Sequence, residues 1–138
     1  MDAEKVIYVL DACAMIAYLR KEVGAEVVQK TIVDPKNILY AHAINLCEVY
    51  YDFWRIGGKA AADEAIEDLL LLGIIERNDF DADFWKKVGE TKANNKASIA
   101  DCFAIVLANQ IGGTVLTSDH HEFDKIAEDN VCLVQFFR

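Results

Sequence analysis

Four acidic residues carry the chemical signal in this sequence: Asp11, Glu48, Asp101 and Asp119. Asp11 directly follows the apolar run VIYVL and directly precedes the pattern of a helix. Asp119 has the same address, after TVLTS and before a short helical segment. Each has a simple use as a helix N-cap, where aspartate is favoured over alanine by about 1 kcal/mol. A cap and a metal ligand are compatible uses of one carboxylate. Asp101 lies in the first turn of the most apolar helix, three residues after Ser98, so Ser98-Ile99-Ala100-Asp101 also reads as a capping box. From Cys102 to Ala108 nothing else is charged. That helix should be buried on most sides, and an ionised aspartate at its head is costly without a cation or several hydrogen bonds.

No cap explains Glu48. On a helix predicted over 43–55 the polar residues Asn45, Glu48, Asp52 and Arg55 fall within a stripe roughly 80° wide. The rest of that helix is apolar or aromatic, which predicts that protein wraps it over most of its circumference and that Glu48 looks out of the remaining slot. An ordinary solvated face is the alternative, with Arg55 neutralising Asp52 at i, i+3. Taken together, acids held a few ångströms apart raise one another's pKa and do not all ionise without a cation. An all-oxygen donor set suits Mg²⁺ or Mn²⁺ rather than zinc. The matching chemistry is phosphodiester hydrolysis.

The elements that must position these acids follow from the hydropathy pattern. Strands are predicted at 6–10, 38–41, 74–75, 114–117 and 131–136. Helices are predicted at 12–22, 25–32, 43–55, 59–72 (after Gly57-Gly58), 81–92, 99–111 (closed by Gly112-Gly113) and 123–128. Alternation of strand and helix means βαβ units and an α/β fold, a parallel sheet of four or five strands with helices on both faces. In such sheets ligands bind outside the carboxyl ends of the strands, where Asp11 and Asp119 stand.

The chain's 138 residues, 54% of them hydrophobic and only one a proline, fit one domain over 1–138 with a core of its own. A formal net charge of −9 argues against tight, sequence-independent binding to duplex nucleic acid, which needs cations on the protein. It leaves room for a nucleic acid that reaches an acidic site through a bound ion. Cys13, Cys47, Cys102 and Cys132 each lie in an apolar stretch with no zinc-type or thioredoxin-type spacing, which predicts reduced, buried thiols. Asp2 and Glu4 before the first apolar run, and Asp11 within it, fit a secretory leader poorly. No stretch approaches the ~18 apolar residues of a membrane span. The expectation is a cytoplasmic protein without a membrane partner.

The segments VLDACAMIAYL, AINLCEVYY, ASIADCFAIVLA and VLTSDHHEFD, in this order and spacing, resemble the PIN-domain nucleases, and in detail the VapC-type toxins of prokaryotic toxin–antitoxin pairs. The resemblance spans nearly the whole chain. It implies a Rossmann-like three-layer α/β/α sandwich, Mg²⁺- or Mn²⁺-dependent cleavage of RNA, a homodimer, and inhibition by a cognate antitoxin. Asp11, Glu48 and Asp101 match the three core acids and Asp119 the fourth. Thr117 matches a hydroxyl residue that orients the fourth acid. Asn45 is an accessory polar group beside Glu48, with plain helix-face hydrogen bonding as the alternative. Glu122 and Asp124 lie near an occasional extra acid and are not assigned a role. Cys13 departs from the pattern, which often has serine or threonine there; a thiol is a poorer hydrogen-bond partner.

Lys86, Lys87, Lys92 and Lys96 form the one basic stretch, and Lys92 and Lys96 are candidates for phosphate contacts beside the pocket, against a solvated helix face. His120 and His121 read as exposed loop residues, and Tyr50, Tyr51, Phe53 and Trp54 as core or dimer contacts. An endoribonuclease toxin is the leading function. A housekeeping RNA-processing nuclease of the same fold and a non-catalytic, antitoxin-binding remnant are the alternatives, the last disfavoured because all four acids are present.

Overall fold

The chain's structure, a computed structural model, describes residues 4–138; Asp2, counted above against a leader, lies outside them. Five strands, β1 (Val6–Leu10), β2 (Asn37–His42), β3 (Ile75–Arg77), β4 (Thr114–Thr117) and β5 (Leu133–Phe136), form one sheet in the order β3-β2-β1-β4-β5. All four pairings are parallel. The sheet is the five-stranded form of the expected α/β architecture.

Strand order reverses between β1 and β4, so their carboxyl ends flank a topological switch point, the crevice in which parallel sheets bind ligands. The pleat sends successive side chains to opposite faces. Val9 and Val115 enter one core with α4 (Ala82–Asn94), α5 (Ile99–Ile111) and α6 (His120–Glu128). Leu10 and Leu116 enter the other with α1 (Ala12–Leu19), α2 (Ala25–Val33) and α3 (Ala43–Leu71). Helix, sheet and helix thus make the three expected layers.

Several boundaries differ from the sequence reading. The two helices expected around Gly57-Gly58 run on as α3 with a break at Gly58, whose φ of 79° and ψ of −172° are not helical. Helix α6 begins at His120 rather than at 123, so His120 and His121 belong to its first turn and not to a loop. His120 lies against Phe136, ring centroids 4.0 Å apart, and bonds the Asp124 carboxylate and the Arg138 carbonyl.

Two burial expectations are corrected. Only Cys102 and Cys132 are buried; Cys13 is half-buried and Cys47 exposed, and all four are free thiols. Nor is α3 wrapped by protein, since Cys47, Tyr51 and Trp54 face solvent. Apolar residue type is a weak guide to burial, because more than half of a folded protein's surface comes from apolar atoms. For α5 the pattern reads correctly: Ala100 and every residue from Cys102 to Ala108 are buried.

Candidate functional site

Asp11 ends β1 and caps α1. Its Oδ1 accepts the Ala14 N–H at 2.9 Å, while its Oδ2, fully enclosed, has no hydrogen-bond partner. The residue is 1% exposed. Burial pushes its pKa up to about 7; the Thr117 hydroxyl and the Ala14 N–H oppose that rise, and the charges of Asp101 and Asp119 add to it. An orphaned carboxylate oxygen in a dry site is expensive for a protein with nothing to put there.

Asp119 ends the β4 segment and caps α6, its Oδ1 accepting the Glu122 N–H at 3.1 Å. The buried Thr117 Oγ1 accepts the Asp119 N–H at 3.0 Å, which fixes the backbone from which this acid projects. Thr117→Val keeps the shape and strands that N–H. The expected result is a loss of about 1–2 kcal/mol in urea unfolding, with Thr117→Ser close to wild type.

Asp101 stands in the first turn of α5, where Ser98 Oγ accepts its N–H at 3.1 Å. Burial pushes its pKa up to about 7; the Ser98 hydroxyl pulls it down, and Asp119, Glu122 and Glu48 push it further up. Oxygens of Asp101, Asp119 and Glu122 lie within 4.8 Å of one another, close enough to share one ion.

Glu122 is a member of this group to which the sequence pattern alone gives no role. Its signal was legible as the pair Asp119-x-x-Glu122, a cap followed by glutamate at the third helical position. The late start expected for α6 hid that geometry.

Glu48 is an exposed residue at the border of this group. Partial burial of its carboxyl raises its pKa, against a 3.2 Å hydrogen bond donated by Asn45 Nδ2 to Oε1. Asn45 itself is wholly buried, and its Nδ2 also donates to the Ala100 carbonyl at 3.3 Å, tying α3 to the head of α5. Glu48 lies outside the close trio but inside its field.

Asp11, like Glu48, stands outside the three acids whose oxygens lie within 4.8 Å of one another, and the charges of both reach Cys13. Burial pushes that thiol's pKa up to about 12, and the further causes are Asp11, Asp119, Asp101 and Glu48, all four sequence-nominated acids. Residues as far apart in sequence as Asp11 and Asp119 thus act on one side chain. The lysines are not drawn in. Lys92 Nζ donates to the Ala97 carbonyl at 2.8 Å and Lys96 is exposed; among the described residues neither contacts an acid of the cluster.

The donor set is carboxylate oxygen, and Asp11 Oδ2 is buried. This fits a hard divalent cation and the polar ligands it keeps.

The PIN domain family model matches residues 8–129. Among solved structures, VapBC-1 from nontypeable Haemophilus influenzae is 21% identical, with a TM-score of 0.68 over 96% of this chain and 98% of that one. VapBC2 from Rickettsia felis, bound to a DNA fragment from its promoter, is 18% identical, with a TM-score of 0.71 over 95% and 98%. Mycobacterium tuberculosis VapC20, a sarcin-ricin loop cleaving toxin, is 14% identical, with a TM-score of 0.66 over 86% and 94%. No curated protein matches the sequence significantly.

Proposed function

This chain belongs to the PIN-domain family of nucleases, and from that premise we propose that it is a Mg²⁺- or Mn²⁺-dependent endoribonuclease, the toxin of a type II toxin–antitoxin pair. The observation that carries the reading is the acid cluster at the switch point, with Asp11 buried beside it. Asp11, Asp101 and Asp119 are the residues that would hold the ion, with Glu122 beside them and Glu48 at the border. Bound by these carboxylates, a divalent ion would supply a lowered pKa for a water ligand and positive charge for a leaving phosphate oxygen.

The chain's own residues perform the positioning. The caps on α1 and α6 immobilise Asp11 and Asp119, so little reorganisation is left for the reaction itself. Thr117 fixes the backbone of Asp119, and Asn45 holds Glu48 against the α5 head. Glu48, with its pKa raised and its carboxyl reachable from solvent, is suited to take a proton from a water entering the pocket.

The toxin assignment draws on the named complexes, which pair a toxin with an antitoxin. A cognate antitoxin, a homodimer and a cytoplasmic site of action are part of this proposal; among the described residues no helix is long and apolar enough to cross a membrane. A housekeeping RNA-processing role would use the same site. A short reading frame for a DNA-binding protein immediately upstream separates the two.

The test is cleavage of labelled tRNA and ribosomal RNA fragments with and without EDTA, by wild type and by Asp101→Asn. Metal-dependent cutting by wild type alone is the expected result. Equal cutting by both proteins identifies a contaminating nuclease and overturns the assignment.

A further inference from the structure

Helices α1 and α3 run side by side away from the acid cluster. Asp11 caps the start of α1 and Arg20 its end, where Arg20 meets Asp52 on α3. Glu48 and Asp52, four residues apart, share one helix face about 6 Å along the axis, and Arg55 follows at about 10 Å. Arg20 Nη2 sits 2.8 Å from Asp52 Oδ2, and Arg55 Nη2 sits 2.9 Å from Asp52 Oδ1. One carboxylate therefore pins two guanidiniums, leaving a surplus of one positive charge. Arg20 rests over the Phe53 ring at 4.6 Å and Arg55 over Tyr51 at 5.7 Å, so both are held in place before any ligand arrives.

The arginine inventory makes this pairing informative. The sequence has four arginines. Arg77 is engaged by the Asp79 carboxylate through two hydrogen bonds, and Arg138 bonds the Val23 carbonyl. The other two converge on the seam that leads out of the acid pocket. Docking α1 onto α3 needs only Arg20. Arg55 lies on the same helix as Asp52, and such an exposed i, i+3 pair adds little to stability. Their side chains are 29% and 58% exposed, so donors not used by Asp52 remain reachable.

We infer that Arg20 and Arg55, pinned by Asp52, form a phosphate-binding fork that holds the backbone of the substrate strand beside the acid cluster. The inference rests on the RNA-cleaving function proposed above. A polyanion approaching a chain of net charge −9 needs cations flanking the acids. Guanidinium matches phosphate through paired N–H donors, whereas an ammonium offers only a point charge.

The experiment measures binding of a short fluorescent single-stranded RNA in Mg²⁺ by Asp101→Asn protein, which cannot turn it over, between about 50 and 200 mM KCl. Each of Arg20→Gln and Arg55→Gln is expected to flatten the slope of log K against log salt by about 0.7, and the double variant by about 1.4. Replacing both with lysine should restore the slope while leaving binding weaker, a response that a purely structural tie would not give. Lys36→Gln, an exposed charge in the turn before β2, at the amino ends of the strands, is the control. With Asp101 intact, the Gln pair should raise KM about tenfold with kcat within about twofold.

A double variant whose slope matches that of Lys36→Gln, while the parent binds and the wild type cuts, overturns the fork alone. A wild type that cuts no RNA overturns the proposed function and the fork together. If the Gln pair loses its fold, Arg55→Gln by itself decides, because Arg55 takes no part in docking α1.

Discussion

In EDTA at pH 8, Asp11→Asn is expected to melt above the wild type, and in millimolar Mg²⁺ the order is expected to reverse. Burial raises the Asp11 pKa from 3.8 to about 7, so the folded protein favours the protonated acid more than the unfolded chain does. The stability tied to that proton is fully present below pH 3.8 and is lost as pH climbs through about 7. The full difference is worth at most about 4 kcal/mol. Asp101, raised to about 7 by burial and its acidic neighbours, acts in the same direction.

Asparagine removes the charge yet keeps the cap on α1, since asparagine and aspartate are comparable N-cap residues. The gain without metal should therefore appear as roughly 5–10 °C in Tm. Metal acts oppositely, stabilising only the form that binds it. Wild type should rise in Mg²⁺, and Asp11→Asn or Asp101→Asn should lose most of that rise. Melting curves from pH 5 to 8, with EDTA and with Mg²⁺, check both signs. A wild-type Tm that neither falls with pH in EDTA nor responds to metal removes the basis for the site.

Cleavage titrated against Mg²⁺ should separate the acids by role. Asp101→Asn is expected to cost at least about a hundredfold in rate at any metal concentration, because it removes a member of the close trio. Glu122→Gln, at the edge of that trio, is expected to shift the half-saturating Mg²⁺ concentration upward by about ten- to a hundredfold, with rate recovered at high metal. Asp124→Asn, whose carboxylate is turned to His120, should behave as wild type. A Glu122→Gln titration that overlays the wild type would return the site to Asp11, Asp101 and Asp119.

Much of this arrangement was readable from residue order. The limits of β1, α5 and β4 follow from largely apolar runs closed by Asp11, Gly112 and the polar Ser118-Asp119. Parallel pairing then leaves little freedom in where Asp11 and Asp119 can stand, since both leave the carboxyl ends of neighbouring strands.

What escaped depended on contacts made at a distance or on capping geometry. The polar pair His120-His121 resembles a loop, yet α6 starts there, because the Asp119 side chain caps it and His120 docks on Phe136 from β5. That hid Glu122. The polar stripe of α3 was visible, but not that Asn45 at its start is wholly buried or that Asp52 takes Arg20 from another helix. Periodicity describes one helix at a time, and the partner that covers a face is absent from it.

The register of β1 against β4 has a consequence for timing during synthesis. Leu10 pairs with Leu116, so the crevice closes only when strands separated by most of the chain have met. A nascent polypeptide that has displayed Asp11, Glu48 and even Asp101 still lacks Asp119 and Glu122. On the proposed function, a ribosome making this protein is shielded from its product's cutting activity until translation has passed Glu122 and the last helix has docked.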